Sequence, residues 1–376
     1  MMGRNLTLIE ILGIKIKVNI SWVFIAVFLA WALAQGYFPT VYEGLSGATY
    51  WWMGIVGVLG LFLSILLHEL SHSLVARAFG MEITGITLWL LGGVAELKDE
   101  PPSPKVEFLM AIAGPAMSVA LGGVLLLVAG MIEGVTPIGA VVRYLGTLNL
   151  ILAAFNLVPA FPLDGGRVAR AAIWMQTGDY ARATDIAARM GSMFGLALIL
   201  IGLLSAVSGA GFGGLWWVVL GIFIRFAADA SRYQVQTKEA LKGRRVRDLM
   251  TRAPVTISPD IVIADLIENW IYHHDFEFFP VVENGKLVGS VSLQEVRNVP
   301  ADRRNVLRTG DVMRGFSPDQ TIAPDAFASD VLKKMQAGGD SLLMVVDGSE
   351  LVGVVALKDL LRFVAINATL QQASEG

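Results

Sequence analysis

Between Ile55 and Leu67 the chain reads IVGVLGLFLSILL, without a single charge. Continued on both sides, such a run reaches the roughly 20 residues that a helix needs to cross a bilayer. Similar runs recur at about residues 19–35, 106–132, 138–158, 192–208 and 212–228, which with 53–79 makes six expected spans. Every run lies before residue 231, and the remainder reads like an ordinary soluble domain. Charged residues make up only 16% of the chain, against about 25% in soluble domains. The expected fold class is therefore a multi-span α-helical membrane protein of about six transmembrane helices, followed by a soluble α+β domain.

Two stretches of the membrane half alternate like strands. Residues 8–18 (LIEILGIKIKV) read as a β-hairpin or edge strand at the membrane surface. Residues 80–98 read as strands turning at Gly92-Gly93, and an open sheet edge at membrane depth must cover protein or line a cavity. Residues 36–52 read as a polar loop. That loop, 130–137 and 205–217 contain no Lys or Arg. The alternate side carries Arg4, Lys15, Lys17, Arg77, Lys98, Lys105, Arg167, Arg170, Arg182, Arg189, Arg225 and Arg232. The positive-inside rule then expects a multi-pass protein of the cell (plasma) membrane, with both termini in the cytoplasm. A net charge of −3 gives no electrostatic case for a nucleic-acid partner. Without cysteine, any zinc must be held by His, Asp or Glu. Residues 1–22 alternate like a strand and lack the apolar core and small-residue cleavage site of a signal peptide.

The second span carries His68-Glu69-Leu70-Ser71-His72 towards its end. Residues four apart share a helix face, so both imidazoles can offer a nitrogen to one zinc ion. Glu69 stands beside them, where a carboxylate can take a proton from water activated by the metal; this is the H-E-x-x-H arrangement of metalloproteases. The alternative is a solvated helix face with two ordinary histidines. The flanking residues count against it, because ionisable groups within a span are expensive. The chain has four histidines, and these are the two that lie in its hydrophobic part.

Catalytic zinc takes about three protein ligands and leaves a position for water. The third must be an oxygen or nitrogen donor from a neighbouring element. Glu82, Glu96, Asp99, Glu100, Asp179, Asp185 and Asp229 are available on the expected cytoplasmic side, whereas Glu43 and Glu133 lie in the outer loops. Asp164 stands out because it follows a helix end broken by Pro159, Pro162, Gly165 and Gly166. The alternative is that Asp164 only caps the next helix.

Taken together, His68-Glu69-x-x-His72 and Asn156…Pro159…Leu163-Asp164-Gly165 resemble the site-2 protease family of intramembrane zinc metalloproteases, over roughly residues 1–230. The resemblance implies His68, His72 and Asp164 as zinc ligands and Glu69 as general base and acid. It also implies that Asn156 helps to hold the substrate or stabilise the oxyanion. Ala113-Gly114-Pro115 resembles a further signature of the family. There Asn often stands three residues after the proline; this chain has Ser118, which leaves a role for that position open.

Past a charged linker, a pattern repeats. Val246-Arg247-Asp248-Leu249-Met250 recurs as Thr309-Gly310-Asp311-Val312-Met313, and Phe279-Pro280-Val281-Val282-Glu283 as Leu343-Met344-Val345-Val346-Asp347. The repeat resembles a pair of CBS domains, modules that often bind adenosine nucleotides. In such modules a Ser or Thr, with Asp three residues on, contacts the ribose. Here one unit has Ser292 but Glu295, and the other has Asp359 but Ala356. A pair used for homodimerisation or docking is the alternative. His273 and His274 read as surface residues of a strand. The expected domains are 1–230 (transmembrane zinc metalloprotease), 231–245 (linker), 246–300 (first CBS unit) and 301–376 (second).

These readings imply a zinc endopeptidase in the lipid bilayer, acting on transmembrane protein substrates, with a possible nucleotide input through the CBS pair. The rival is a CBS-regulated metal or ion transporter. A transporter needs ligands but no base, and Glu69 is what separates the two.

Overall fold

The structure, a computed structural model, describes residues 5–89, 92–97, 100–134, 136–208, 212–274 and 278–375. Arg4, Lys98 and Asp99, considered above, lie outside the described residues. The chain divides into two compact units, Met1–Arg232 and Tyr233–Gly376.

The first unit is built on helices α1 (Ser21–Ala32), α2 (Phe38–Val41), α3 (Gly47–Ala78), α4 (Pro104–Met131), α5 (Pro137–Asn156), α6 (Asp164–Thr177), α7 (Tyr180–Val207) and α8 (Phe212–Leu241). Among the described residues, six segments are long and apolar enough to cross a membrane: Ser21–Val41, Gly47–Ala78, Pro104–Met131, Pro137–Asn156, Tyr180–Val207 and Gly213–Leu241. Their starts follow from local chemistry. The side chains of Ser46, Ser103, Thr136 and Asp179 each accept a backbone N–H of the first turn of α3, α4, α5 and α7. Proline opens α4 and α5, where its missing N–H costs nothing.

Several boundaries differ from the sequence reading. Residues 36–52 are mostly helical: α1 runs through a π-helical stretch, Leu33–Tyr37, into α2, and α3 begins at Gly47. Tyr37, Phe38 and Tyr144 pack ring against ring there, so aromatic burial outweighs the loop-like composition. Arg182 and Arg189 stand on the first turns of α7, which is therefore longer than its apolar run. The last helix continues to Leu241, whose side chain is buried in the core of the second unit.

Where helices approach closely, glycine removes the obstacle. A Cβ on Gly54 would stand 2.6 Å from the Ala30 carbonyl oxygen, and one on Gly195 2.6 Å from that of Gly221.

A sheet of order β1-β2-β3-β4 lies against α3. Strands β1 (Asn5–Ile11) and β2 (Ile14–Asn19) form the expected hairpin, turning at Leu12 and Gly13 with φ of 51° and 78°. Strand β2 runs parallel to β3 (Ile83–Trp89), and β3 antiparallel to β4 (Gly92–Leu97). Gly92 and Gly93 are thus strand residues rather than the turn. Ile14, Ile16 and Val18 of β2, with Ile86 and Leu88 of β3, pack on Ile65, Leu66 and Leu70 of α3. Strand β4 is left at the edge of the sheet.

In the second unit, strands β5 (Thr251–Arg252), β6 (Phe278–Glu283), β7 (Lys286–Ser292), β8 (Arg314–Gly315), β9 (Thr321–Ile322), β10 (Leu342–Asp347) and β11 (Glu350–Ala356) form one sheet of path β6-β7-β11-β10-β9. The two hairpins, β6–β7 and β10–β11, are the repeated sequence segments made visible. Each repeat has its own core, around Phe279 and Val281 in one and Leu343 and Val345 in the other. His273 and His274 fall in a helical turn, Tyr272–His274, not in a strand, and His274 stacks on Trp270 with ring centroids 5.8 Å apart.

Candidate metal centre

Helix α3 presents His68 and His72 one turn apart, their rings 4.8 Å apart and nearly perpendicular, at 81°. Both are buried. Each ring is fixed by a bond at Nδ1. The Met110 carbonyl lies 2.6 Å from Nδ1 of His72, and the Ser118 hydroxyl 2.9 Å from Nδ1 of His68. A carbonyl only accepts, so Nδ1 of His72 carries the proton and its Nε2 keeps a free lone pair. The position left open in the sequence, Ser118, is therefore engaged with the first histidine.

Asp164 comes from another element. It is the first helical residue of α6, behind Leu163, and it does not serve as the cap. Its Oδ2 lies 3.0 Å from His68 Nε2 and 3.2 Å from His72 Nε2. The other oxygen, Oδ1, faces Arg167 Nη1 at 3.8 Å.

These three side chains suit zinc. Their donor atoms lie within 4.8 Å of one another, and this is the group of three that meets that criterion among the described residues. Ligands bonded at about 2.0–2.1 Å in tetrahedral geometry stand roughly 3.3 Å apart, close to the separations found. The space is kept by Gly114 of α4. A Cβ there would sit 2.3 Å from His72 Nε2 and 2.6 Å from His68 Nε2, pressed against both nitrogens that would hold the metal.

Glu69 and Asn156 belong to the same place. Both line a cavity of about 860 Å³ together with His68, His72, Asp164 and Arg167, whose remaining wall is largely apolar and includes Phe62, Phe155, Trp216 and Phe223. Gly93 of β4 approaches Glu69 so closely that a Cβ there would lie 2.5 Å from Glu69 Cγ. Asn156 ends α5 and donates from Nδ2 to the Leu152 carbonyl at 3.1 Å, which leaves its second N–H unused by that bond. Gly114 lies in the Ala113-Gly114-Pro115 signature noted in the sequence, but its place against the two imidazoles, and the part of Met110, appear only in the structure.

The two candidate ribose residues sit in the second unit. Ser292 caps the helix Leu293–Arg297, and both its N–H and its hydroxyl bond to Glu295 Oε2. Arg314 Nε holds the other oxygen of Glu295 at 2.6 Å. Burial opposes ionisation of Glu295, yet these bonds from Ser292 and Arg314 keep its carboxyl below the ordinary value. Asp359 is half-buried in the first turn of the helix Leu357–Glu375, accepting the Ala356 N–H at 3.4 Å.

A multi-pass helical unit with a buried His-His-Asp set and an adjacent glutamate, joined to a doubled α+β module, defines a membrane zinc metalloprotease with a CBS pair. Comparison with known proteins agrees. The chain matches peptidase family M50 over residues 56–142 and 135–198, and the CBS domain over 246–302 and 310–366. Rip3 of Mycobacterium tuberculosis, named as a zinc metalloprotease, is 36% identical over 95% of this chain and 92% of its own. A zinc metalloprotease of Methanocaldococcus jannaschii is 31% identical over 97% of both. A solved site-2 protease from the same archaeon is 32% identical, covering 61% of this chain and 95% of its own, with a TM-score of 0.44. The chain belongs to peptidase family M50, the site-2 zinc metalloproteases, in a form that carries tandem CBS domains. That membership displaces the transporter reading.

Proposed function

We propose that the protein is an intramembrane zinc endopeptidase that cuts transmembrane segments of other membrane proteins, with His68, His72 and Asp164 as ligands and Glu69 as base and acid. The observation that carries this reading is the convergence of those side chains on one buried, largely apolar cavity. Zinc, when bound, supplies Lewis acidity that brings the pKa of water towards neutrality. Glu69 takes the proton of the attacking water and passes it to the leaving amine. The spare N–H of Asn156 donates to the developing oxyanion. The apolar wall excludes bulk water and suits the side chains of a membrane helix. A substrate helix must unwind to present a peptide bond, and the β4 edge, with Gly93 over Glu69, can pair with the extended strand that results.

The domain limits follow the same reading: 1–230 for the protease, 231–245 for the connection, 246–300 and 301–376 for the CBS units. The charge asymmetry of the loops supports a plasma-membrane protein with both termini and the CBS pair in the cytoplasm. The pair serves to sense an adenosine nucleotide or to dimerise the chain. Asp359 is the residue for a ribose, since Glu295 is already tied to Ser292 and Arg314. Calorimetry with ATP, ADP and AMP on the full-length protein tests this; heat that survives Asp359→Ala would place the nucleotide elsewhere. The protease reading is tested by co-expression with candidate single-span proteins. Wild-type protein should shorten a substrate that Glu69→Gln leaves whole, and equal processing by both would overturn it.

A further inference from the structure

Glu107 and Arg170 form an ion pair inside the first unit, with side chains 0% and 7% exposed. Arg170 Nε donates to Glu107 Oε1 at 2.7 Å, and its Nη2 meets the same oxygen. Glu107 Oε2 is buried without a hydrogen-bond partner. A buried ion pair is weak support for stability, because desolvation offsets the attraction and an apolar pair of similar volume often does as well. Its position suggests another use.

Glu107 stands on α4 in line with Met110, Gly114 and Ser118, at spacings that share one helix face. Met110 and Ser118 hold the two imidazoles, and Gly114 lies against both Nε2 atoms. Arg170 stands on α6, six residues beyond Asp164. Its guanidinium also lies over the rings of Phe161, at 4.9 Å, and Tyr180, at 5.0 Å. Phe161 belongs to the turn that delivers Asp164, and that turn has no slack. A Cβ on Gly166 would stand 2.2 Å from the Phe161 nitrogen, and one on Gly191 1.9 Å from its carbonyl oxygen. One guanidinium thus ties the helix that orients the histidines to the turn and helix that place the aspartate.

We infer that Glu107 and Arg170 are positioning residues for the zinc site, fixing Asp164 in register with His68 and His72. The inference rests on the ligand reading proposed above. It predicts that the pair acts on the metal through Asp164. Removing a direct hydrogen-bond partner of a metal ligand costs about 10–100-fold in affinity, and the pair, which touches no ligand itself, should cost no more than that.

The test is a double-mutant cycle on full-length protein in detergent, read as zinc affinity by chelator competition. Glu107→Gln, which keeps the shape and an acceptor, should weaken zinc binding by at least about fivefold in the wild-type background, below the about 100-fold ceiling for a direct partner. In the Asp164→Ala background it should change affinity by no more than about twofold. Equal weakening in both backgrounds would mean a general structural role and would overturn the inference, as would unchanged affinity in the wild type. If Glu107→Gln does not fold, Arg170→Lys keeps the charge but loses the fork, and the same two measurements apply. The Asp164→Ala arm reports on the ligand reading alone: undiminished zinc binding there would remove that reading, and the inference with it.

Discussion

Gly114→Ala adds one carbon against the two histidine nitrogens of the proposed metal site. The new Cβ would stand 2.3 Å from His72 Nε2 and 2.6 Å from His68 Nε2. Ordinary van der Waals contact begins at 3.4 Å, so the nearer nitrogen would have to retreat by 3.4 − 2.3 = 1.1 Å. A zinc site holds its bond lengths to about ±0.2 Å, so a shift of that size breaks the ligand set. The same overpacking costs the fold about 1–3 kcal/mol. Metal content should therefore collapse while the protein still purifies as a folded species. The assay is zinc stoichiometry by mass spectrometry, with circular dichroism beside it. Gly123→Ala on the same helix is the control, because nothing lies within 4 Å of a Cβ there. Gly114→Ala protein that retains zinc like wild type would mean that the metal is not held between those two nitrogens.

Asp164→Ala should lower zinc retention, while Asn156→Ala should leave zinc in place and slow cleavage; paired metal analysis and proteolysis separate the two. Ser118→Ala should weaken zinc binding by about 10–100-fold, as loss of an outer-shell partner does, and Ser118→Asn should restore part of it. Glu295 has a lowered folded pKa, so its stabilising contribution is present above the unfolded value of about 4.3 and is lost as pH falls through the folded one. Thermal unfolding followed below about pH 4.3 should show a steeper acid loss for wild type than for Glu295→Gln.

Much of the membrane unit was legible because lipid permits few solutions: uncharged runs had to be helices, and alternating segments had to be paired strands. Span ends were less legible. Aromatic packing extended the first span to Val41, and the last helix ran past its apolar stretch to Leu241. In the candidate site, His68, Glu69 and His72 were readable because their spacing is local, and Asp164 because Pro159 and Pro162 break the chain before it. Of the parts contributed by α4, the Ala113-Gly114-Pro115 signature was visible but its role was not. Met110 acts through its carbonyl, which any residue has, and Gly114 through an absent side chain. Arg170 reads in the sequence as one more cytoplasmic-side charge, yet it is buried against Glu107. Glu107 stands at the polar edge of an apolar run, where a charge ordinarily meets the interface. Only the three-dimensional crossing of α4 and α6 distinguishes it.

In the proposed mechanism Glu69 moves protons and does not hold the metal. Glu69→Gln keeps the volume of the side chain and removes the carboxylate that accepts a proton. Purified in detergent and reconstituted with a single-span substrate, the variant should carry the same zinc as wild type. Its cleavage rate should fall by at least the 10²–10⁴-fold typical of losing a general acid–base group. Cleavage at the wild-type rate with zinc bound would contradict the mechanism, and loss of zinc in this variant alone would make Glu69 a ligand instead.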